Sequence, residues 1–341
     1  MSLKIDTLMK EVNKKEKGEI FNHGLNTYDY DRIPFTSPKM NWCTYGGIPE
    51  GKITEFSGKE HGGKTTSALD IVANYQNLHP DRDVLYVDAE NSLDAVWATK
   101  LGVDLSKMYI VTPETQSAET LFDLILETIK TGDLGLWVLD SIGALLSQDE
   151  WEKDMDEKTY AGISKPLTRF GKEVEMLMNK YNCTGLAINQ MRDKLNSTFG
   201  GQTTPGGNAW RHFCMVRLEF SRGAFVDDKC NPLTRGVQNP AGNIVMMTML
   251  KNKTCKPDRR TGQYTLNYNE GINYAKDLMD CAMLYDIVRQ SGAWFSVQNP
   301  ETGEIIQDKV QGQGKLLTLL EEDDTLLQRI EELVDSYMYE K

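Results

Sequence analysis

The sequence predicts an α/β fold, with a mostly parallel, twisted sheet that has helices on both faces. Three observations predict it. A P-loop motif, Gly58 to Thr65 (GKEHGGKT), lies between an apolar run and a helix-favouring run. Apolar runs then alternate with helical stretches, the runs at 84–87, 108–112, 136–139 and 185–188 and the helices at 117–131 and 164–181. Two later runs, 215–220 and 243–249, flank one loop and predict an antiparallel extension of the sheet.

The composition is that of an ordinary globular protein, with 341 residues, 26% charged and 40% hydrophobic. No apolar run approaches the roughly 20 residues that span a bilayer, and residues 1–6 lack the apolar segment of a signal peptide. We therefore expect a cytoplasmic protein with no membrane partner. The six cysteines form no C-x-x-C pair, which disfavours zinc and suits a reducing compartment. The net charge of −12 disfavours nucleic-acid binding by the whole surface but allows a local basic channel.

We expect three segments, 1–38, 39–270 and 271–341. The first begins with an amphipathic helix in which Ile5, Leu8, Met9 and Val12 share one face. This helix either folds onto its own domain or docks as an arm on a neighbouring subunit, and the pattern does not separate the two. Its connector, residues 18–45, is turn-rich and predicts irregular chain or a short strand.

The last segment, 271–341, predicts a small separate α/β domain. It contains a helical pattern at 276–289, a short strand at 293–297 and a turn at 300–303, and it ends in a closing helix.

The P-loop motif predicts binding of a nucleoside triphosphate with Mg²⁺. Glycines let successive N–H groups converge on an anion at the positive end of the following helix. Lys64 can then reach the β- and γ-phosphates, and the Thr65 hydroxyl can hold the metal ion. The alternative, a glycine-rich turn without a ligand, is disfavoured because the motif is complete. The predicted nucleotide contacts are Gly58, Lys59, Glu60, His61, Gly62, Gly63, Lys64, Thr65 and Thr66.

Carboxylates follow two other predicted strands at the same edge of the sheet. Asp140 ends the run at 136–139 and is expected to order Mg²⁺, although an aspartate there can also be a helix N-cap. Asp88 and Glu90 follow the run at 84–87, where a carboxylate can polarise a water for attack on the γ-phosphate. Asp94 and Trp97 lie close enough to flank a purine base, with an ordinary core role for Trp97 as the competing interpretation.

Several stretches resemble the RecA family of bacterial and phage DNA recombinases, in the family's order from about Tyr45 to the end. They are GKEHGGKTT (58–66), DAENSLDAVWATKLGVD (88–104), LDSIGALL (139–146), INQMRDKL (188–195), TPGGNAW (204–210), KNK (251–253), NEGINY (269–274), SGAWFSV (291–297) and GQGK (312–315). The resemblance implies a RecA-like P-loop ATPase core with an N-terminal helix and a small C-terminal α/β domain. ATP and Mg²⁺ are the implied cofactors.

The resemblance also implies roles for single residues. Glu90 would activate the hydrolytic water, and Gln190 would sense the γ-phosphate at the root of a DNA-binding loop. Lys251 and Lys253 match the pair that reaches into the neighbouring subunit's ATP, so the active site would exist only between protomers.

Around the adenine, the resemblance places Asp94, Trp97 and Tyr268. The chain departs from the family's pattern at three places. Trp97 stands where tyrosine is common, Pro166 where an arginine is frequent, and His212 where an interface phenylalanine is usual. The first change keeps a stacking face, whereas the other two alter the residues that the family uses at a DNA contact and at part of the subunit interface.

The segment 191–209 is polar, glycine-rich and long for a structureless connection, which is typical of a functional loop. We expect it to contact DNA, with a mobile lid unconnected with DNA as the alternative. By resemblance, Leu195 matches the family's apolar wedge between base triplets. A second loop, 148–166, is acidic except near Lys165. The predicted DNA contacts are Lys165, Met191, Arg192, Lys194, Leu195, Gly206, Gly207 and Asn208.

The expected function is ATP-dependent homologous recombination. The protein would form a helical filament of identical subunits on single-stranded DNA, pair it with homologous double-stranded DNA, and hydrolyse ATP in a DNA-stimulated way. The alternative is a filament-forming accessory or regulator that binds ATP and DNA without exchanging strands. A ring-forming motor with the same core is disfavoured by the small C-terminal domain and by the segment 191–209.

Overall fold

The computed structural model describes residues 3–16, 30–152, 162–193, 202–234 and 239–338. The chain separates into two units, residues 1–31 and 32–341. The described helix of the first unit, α1 (Leu3–Glu16), has Asp6 in its first turn and Lys14 and Lys15 in its last, which complements the helix dipole. The helix predicted at the N-terminus is therefore present, and its docking partner stays a prediction.

The second unit contains the remaining described elements. Its strands are β1 (Arg32–Ile33), β2 (Ile48–Pro49), β3 (Ile53–Gly58), β4 (Asp83–Asp88), β5 (Met108–Val111), β6 (Leu134–Asp140), β7 (Thr184–Gln190), β8 (Arg192–Asp193), β9 (Gln202–Thr203), β10 (Cys214–Val226), β11 (Gly242–Asn252), β12 (Thr261–Asn267), β13 (Gly271–Ile272), β14 (Val288–Ser291), β15 (Trp294–Gln298) and β16 (Ile305–Gln311). Its helices are α2 (Pro38–Thr44), α3 (Lys64–Leu78), α4 (Ala95–Lys100), α5 (Ala118–Lys130), α6 (Gln148–Trp151), α7 (Ser164–Tyr181), α8 (Gly207–Phe213), α9 (Tyr274–Leu284), α10 (Gln313–Glu322) and α11 (Asp324–Met338), with 3₁₀ turns at Leu105–Lys107 and Ile142–Ala144.

One large sheet has the strand order β13-β12-β11-β10-β3-β7-β6-β4-β5. The six strands from β10 to β5 are parallel, and β11, β12 and β13 continue antiparallel from β10. The fold class predicted from the sequence is confirmed. One detail was wrong: the run at 215–220 lies in β10, which is parallel to β3 rather than part of the antiparallel extension. The carboxyl ends of β3, β4, β6 and β7 therefore meet at one edge.

Helices cover both faces of this sheet because alternate residues of its strands point to opposite sides. On β6, Leu136 and Val138 belong to the core cluster that also contains residues of α3, such as Ile71. Trp137 belongs to the opposite cluster, with residues of α5 and α7 such as Phe170. Strands buried on both faces need apolar residues at every position, which explains the uninterrupted apolar runs in the sequence.

Helices α5 and α7 confirm the helices predicted at 117–131 and 164–181. Helix α2 was missed because Ser37 and Pro38 are turn signals; here Ser37 is an N-cap that accepts a hydrogen bond from the Met40 N–H, and Pro38 is the first helical residue.

The predicted helix at 276–289 was too long, since α9 ends at Leu284. Asp286 follows with a left-handed φ of 57°, and β14 begins at Val288. Residues beyond 271 form their own antiparallel sheet, β14-β15-β16, and contribute all but Cys230 of the buried residues in a separate core cluster. The domain boundaries themselves stay a prediction. Among the described residues, no helix is long and apolar enough to cross a membrane.

Candidate nucleotide site

The P-loop connects β3 to α3 at the carboxyl edge of the sheet. A Cβ atom added to Gly58 would lie 2.1 Å from the Phe220 carbonyl oxygen, and one on Gly62 would lie 2.9 Å from the same atom. Gly63 has a left-handed φ of 94°, and its Cβ would meet Val245 at 2.8 Å. The loop therefore requires glycine where it approaches β10 and β11. No side chain caps the N-terminus of α3 at Gly63, so backbone N–H groups remain available to an anion.

Lys64 is the first residue of α3 and is 9% exposed. Its Nζ donates a hydrogen bond to the Lys59 carbonyl oxygen at 2.8 Å, which places the ammonium group over the loop. Burial lowers the pKa of Lys64, and the nearby carboxylates of Asp140, Glu90 and Glu60 oppose that shift. A partly desolvated cation in a glycine cradle is suited to a phosphate.

Asp140, at the end of β6, is buried beside the P-loop. Its Oδ2 accepts hydrogen bonds from the hydroxyls of Thr65 at 2.8 Å and Tyr86 at 2.9 Å. Burial raises the pKa of Asp140 to about 6, while these two hydrogen bonds oppose the increase. A cation here would relieve the cost of the buried charge, so Thr65 and Asp140 fit Mg²⁺.

No group of three or more His, Cys, Asp or Glu side chains in the described ranges could hold a metal ion by itself. Mg²⁺ would therefore depend on phosphate oxygens for the rest of its coordination.

The two carboxylates after β4 have different surroundings. Asp88 is 4% exposed, and its oxygens accept the backbone N–H groups of Ser92 and Leu93. Glu90 is exposed, and its Oε1 accepts hydrogen bonds from Gln190 Nε2 at 2.8 Å and from the Ser141 hydroxyl. Asp88 thus shapes the turn, and Glu90 is the carboxylate that water can reach.

A pocket of about 390 Å³ lies next to the P-loop. This size is at the lower end for sites that bind small organic ligands. Its lining includes His61, Thr66, Trp97, Arg222, Asn243 and Tyr268. The structure thus brings Trp97 and Tyr268 together beside the P-loop, and their contact with adenine stays a prediction.

Asp94 does not line this pocket; its carboxylate accepts the N–H groups of Val96 and Trp97 and caps α4. Arg222 and Asn243 were missed by the sequence analysis. Asn243 accepts a hydrogen bond from the Tyr268 hydroxyl at 2.8 Å. Both lie on long strands, and the sequence carries no local signal for either role.

Lys251 and Lys253 are remote from the P-loop of their own protomer. In the strand register, Lys251 on β11 lies opposite Arg217 on β10, and Arg217 lies opposite Glu55 on β3. Glu55 is three residues before Gly58. That offset corresponds to about 10 Å along a strand. Lys251 Nζ donates to the carbonyl oxygens of Arg211 at 2.6 Å, His212 at 3.2 Å and Cys214 at 2.5 Å, at the end of α8.

The predicted DNA contacts that the structure describes lie just after β7, at the start of α8 and in the first turn of α7. Met191 follows Gln190 directly, and its N–H donates to the carbonyl oxygen of Gly58 at 3.2 Å. Arg192 donates to the Gly143 carbonyl oxygen at 2.9 Å, and Gly207 and Asn208 begin α8 after Gly206. Lys165 lies in the first turn of α7 and is exposed. Lys194 and Leu195 lie outside the described residues, so their predicted roles are not addressed.

A glycine cradle at the start of a helix, a buried aspartate beside it and an accessible glutamate define a P-loop nucleotide-binding protein of the α/β class.

Comparisons with known proteins identify its family. The family model described as the RecA N-terminal domain matches residues 4–273. The chain is 32% identical to Protein RecA of Chloroherpeton thalassium over 335 residues, covering 97% of this chain and 87% of that protein. It is 32% identical to Protein RecA of Chlorobaculum tepidum (98% and 91% covered) and 30% identical to that of Bacillus licheniformis (97% and 90%). The chain belongs to the RecA family, which confirms the resemblance found in the sequence.

Proposed function

We propose that this recombination protein is a DNA-stimulated ATPase that forms filaments on single-stranded DNA and promotes pairing and strand exchange with a homologous duplex. The observation that carries the proposal is the hydrogen bond between Gln190 and Glu90. It links the candidate sensor to the candidate base, and the residue after Gln190 opens the candidate DNA-binding segment. Met191 also bonds to Gly58, where the P-loop begins.

In the proposed reaction, the P-loop amides and Lys64 hold the phosphates of ATP. Glu90 accepts a proton from a water as that water attacks the γ-phosphorus, and the bond to the β,γ-bridging oxygen breaks. Thr65 and Asp140 would hold and order Mg²⁺, which would neutralise charge on the phosphates. Gln190 can exchange its hydrogen bond with Glu90 for one to a γ-phosphate oxygen.

Such an exchange would couple ATP to DNA. A change at Gln190 is transmitted directly to Met191 and Arg192, which belong to the predicted DNA segment. If ATP and DNA favour the same arrangement of this segment, each raises the affinity of the other. Contacts with phosphates would make DNA binding independent of sequence and sensitive to salt.

We further propose that Lys251 and Lys253 act on the nucleotide of an adjacent protomer. Lys251 lies near the end of β11, opposite Arg217, and the Lys253 N–H just beyond that strand donates to the Met215 carbonyl oxygen, away from the P-loop end of the neighbouring strands. An active site completed between protomers requires assembly for full turnover, which ties hydrolysis to filament formation.

The test is the ATPase rate with and without single-stranded DNA across a salt series, for the wild type and for Lys64→Ala. We expect DNA to raise the wild-type rate, salt to reduce that stimulation, and Lys64→Ala to abolish both ATP binding and ATP-dependent DNA binding. A wild-type rate that DNA leaves unchanged would contradict the proposal. A strand-pairing assay with a homologous oligonucleotide separates strand exchange from the alternative, an accessory that binds ATP and DNA without exchanging strands.

A further inference from the structure

A buried polar cluster lies behind the nucleotide site and is centred on Glu55, in the middle of β3. The Glu55 side chain is 0% exposed, and it accepts hydrogen bonds from three other elements. Oε1 accepts from Asn189 Nδ2 at 2.9 Å and from Trp210 Nε1 at 3.2 Å, and Oε2 accepts from Arg217 Nε at 2.5 Å. We call these four residues the Glu55 cluster. A buried carboxylate is costly unless it is fully bonded, so its partners are strongly held in place.

Each member of the cluster is adjacent to a part of the proposed mechanism. Glu55 is three residues before Gly58, where the P-loop begins, and Asn189 directly precedes Gln190. Asn189 Nδ2 also donates to the Pro205 carbonyl oxygen at 3.0 Å, and Arg217 donates to the Thr204 hydroxyl at 3.4 Å. These two contacts anchor the later part of the predicted DNA segment, just before Gly206.

Trp210 extends the cluster into α8. This helix begins beside Gly206, a predicted DNA contact, and its last carbonyl groups are bound by Lys251. Trp210 is 0% exposed and fixes the middle of the helix to Glu55. The strand register adds a second link, because Arg217 lies opposite Lys251 on β11.

We propose that the Glu55 cluster is a positioning device that holds the P-loop strand, the Gln190 strand and α8 in one register, so that DNA bound at the segment before α8 alters the ATP site. The proposal rests on the function proposed above and deepens it by naming residues that touch neither ATP nor DNA. Glu55, Asn189, Arg217 and Trp210 are therefore positioning residues. Removing their side-chain hydrogen bonds lowers the stimulation of ATP hydrolysis by DNA without removing a group that binds nucleotide.

Trp210→Phe tests the idea, because it keeps an aromatic ring and removes the donor to Glu55. Trp137→Phe is the matched control. Trp137 is also 0% exposed and also packs against Phe170, at 5.6 Å compared with 6.4 Å for Trp210, but its Nε1 has no hydrogen-bond partner in the structure. Both variants lose core volume, and only one loses a bond to Glu55. Arg217→Lys, which keeps the positive charge but changes the hydrogen bonds that Arg217 donates to Glu55 and Thr204, provides a second variant should Trp210→Phe fail to fold.

The measurement is the ratio of kcat with saturating single-stranded DNA to kcat without it, together with KM for ATP and Tm. We expect Trp210→Phe to lower the ratio about tenfold, the size expected for losing a hydrogen bond to a carboxylate. Its basal kcat and KM should stay within about twofold of the wild type, and Trp137→Phe should keep the wild-type ratio despite a lower Tm.

Equal ratios in Trp210→Phe, Arg217→Lys and Trp137→Phe, or a loss of basal and stimulated rates in proportion, would overturn the positioning role while leaving the proposed function intact. A wild-type enzyme that DNA does not stimulate would instead overturn the proposed function, and the coupling role would fall with it.

Discussion

The buried carboxyl group of Asp277 predicts an unusual pH dependence of stability. Asp277 lies on α9 and is 1% exposed. Its Oδ1 accepts the Thr265 N–H at 3.0 Å. Burial raises the pKa of Asp277 from 3.8 to about 8, although hydrogen bonds from Ser37 and Thr265 oppose the increase. The folded protein therefore keeps this group protonated at pH values where the unfolded chain ionises it.

The direction of the effect follows from proton linkage. The contribution of Asp277 to stability is fully present below about pH 4 and is lost as the pH rises toward 8, because only the unfolded chain releases the proton in that window. Each pH unit corresponds to about 1.4 kcal/mol, so about 3 kcal/mol is lost between pH 5 and pH 7. Asp277→Asn cannot ionise, and it keeps an oxygen for the Thr265 N–H. The difference in unfolding free energy between Asp277→Asn and the wild type should therefore shift by about 3 kcal/mol in favour of the variant between pH 5 and pH 7.

Urea unfolding at pH 5, 6 and 7 measures this difference directly, since other titrating groups contribute equally to both proteins and cancel. Asp123→Asn, on the exposed face of α5, is the control and should give a constant difference from the wild type. Parallel stability curves for Asp277→Asn and the wild type would show that Asp277 is already ionised in the folded protein and would refute the reasoning.

Three further predictions concern the candidate site. Glu90→Gln should retain ATP binding but lower kcat at least about a hundredfold, because an amide cannot accept the proton from water; wild-type turnover would contradict the assignment. Trp97→Ala should raise the Kd for ATP about tenfold or more through lost stacking, whereas Trp97→Tyr should stay within about threefold; equal loss in both, measured by nucleotide titration, would argue against a stacking role. Lys251→Ala and Lys64→Ala should each be inactive as ATPases. Mixed filaments should recover activity, because a Lys251→Ala protomer keeps its P-loop and an adjacent Lys64→Ala protomer keeps Lys251. The absence of recovery in an assembled mixture would place Lys251 outside the partner's site.

The sequence predicted those parts of the site that depend on local chain. The P-loop is a short contiguous motif, and Asp140 directly follows the apolar strand that positions it, so both were visible without coordinates. Tyr86, which donates to Asp140, is an interior residue of β4, and in the sequence it is one of several apolar positions in a buried strand. Arg222 lines the pocket beside the P-loop because β10 continues beyond its pairing with Gly58, and no local pattern indicates where a neighbouring strand will end.

The same reasoning explains the errors at the level of the fold. The run at 215–220 resembles an antiparallel strand because a second run follows it closely, yet it pairs in parallel with β3 on its other side. A strand between a parallel and an antiparallel neighbour satisfies both patterns, and only the pairing distinguishes them. The predicted end of α9 failed because Asp286 adopts a left-handed conformation that its sequence context does not require.

The hydrogen bonds of Lys251 give a physical reason why the proposed hydrolysis would depend on both assembly and DNA. In the single protomer its ammonium group donates to three carbonyl groups at the end of α8, where the helix dipole is negative. Burial and the nearby Lys253 charge lower its pKa, so the cation is held mainly by these carbonyl groups. A partner's triphosphate would have to compete with them for Lys251. If DNA bound at the start of α8 displaced this helix, the hydrogen bonds from Lys251 to the α8 carbonyl groups would weaken. The position of α8 would then control how readily Lys251 reaches the neighbouring site.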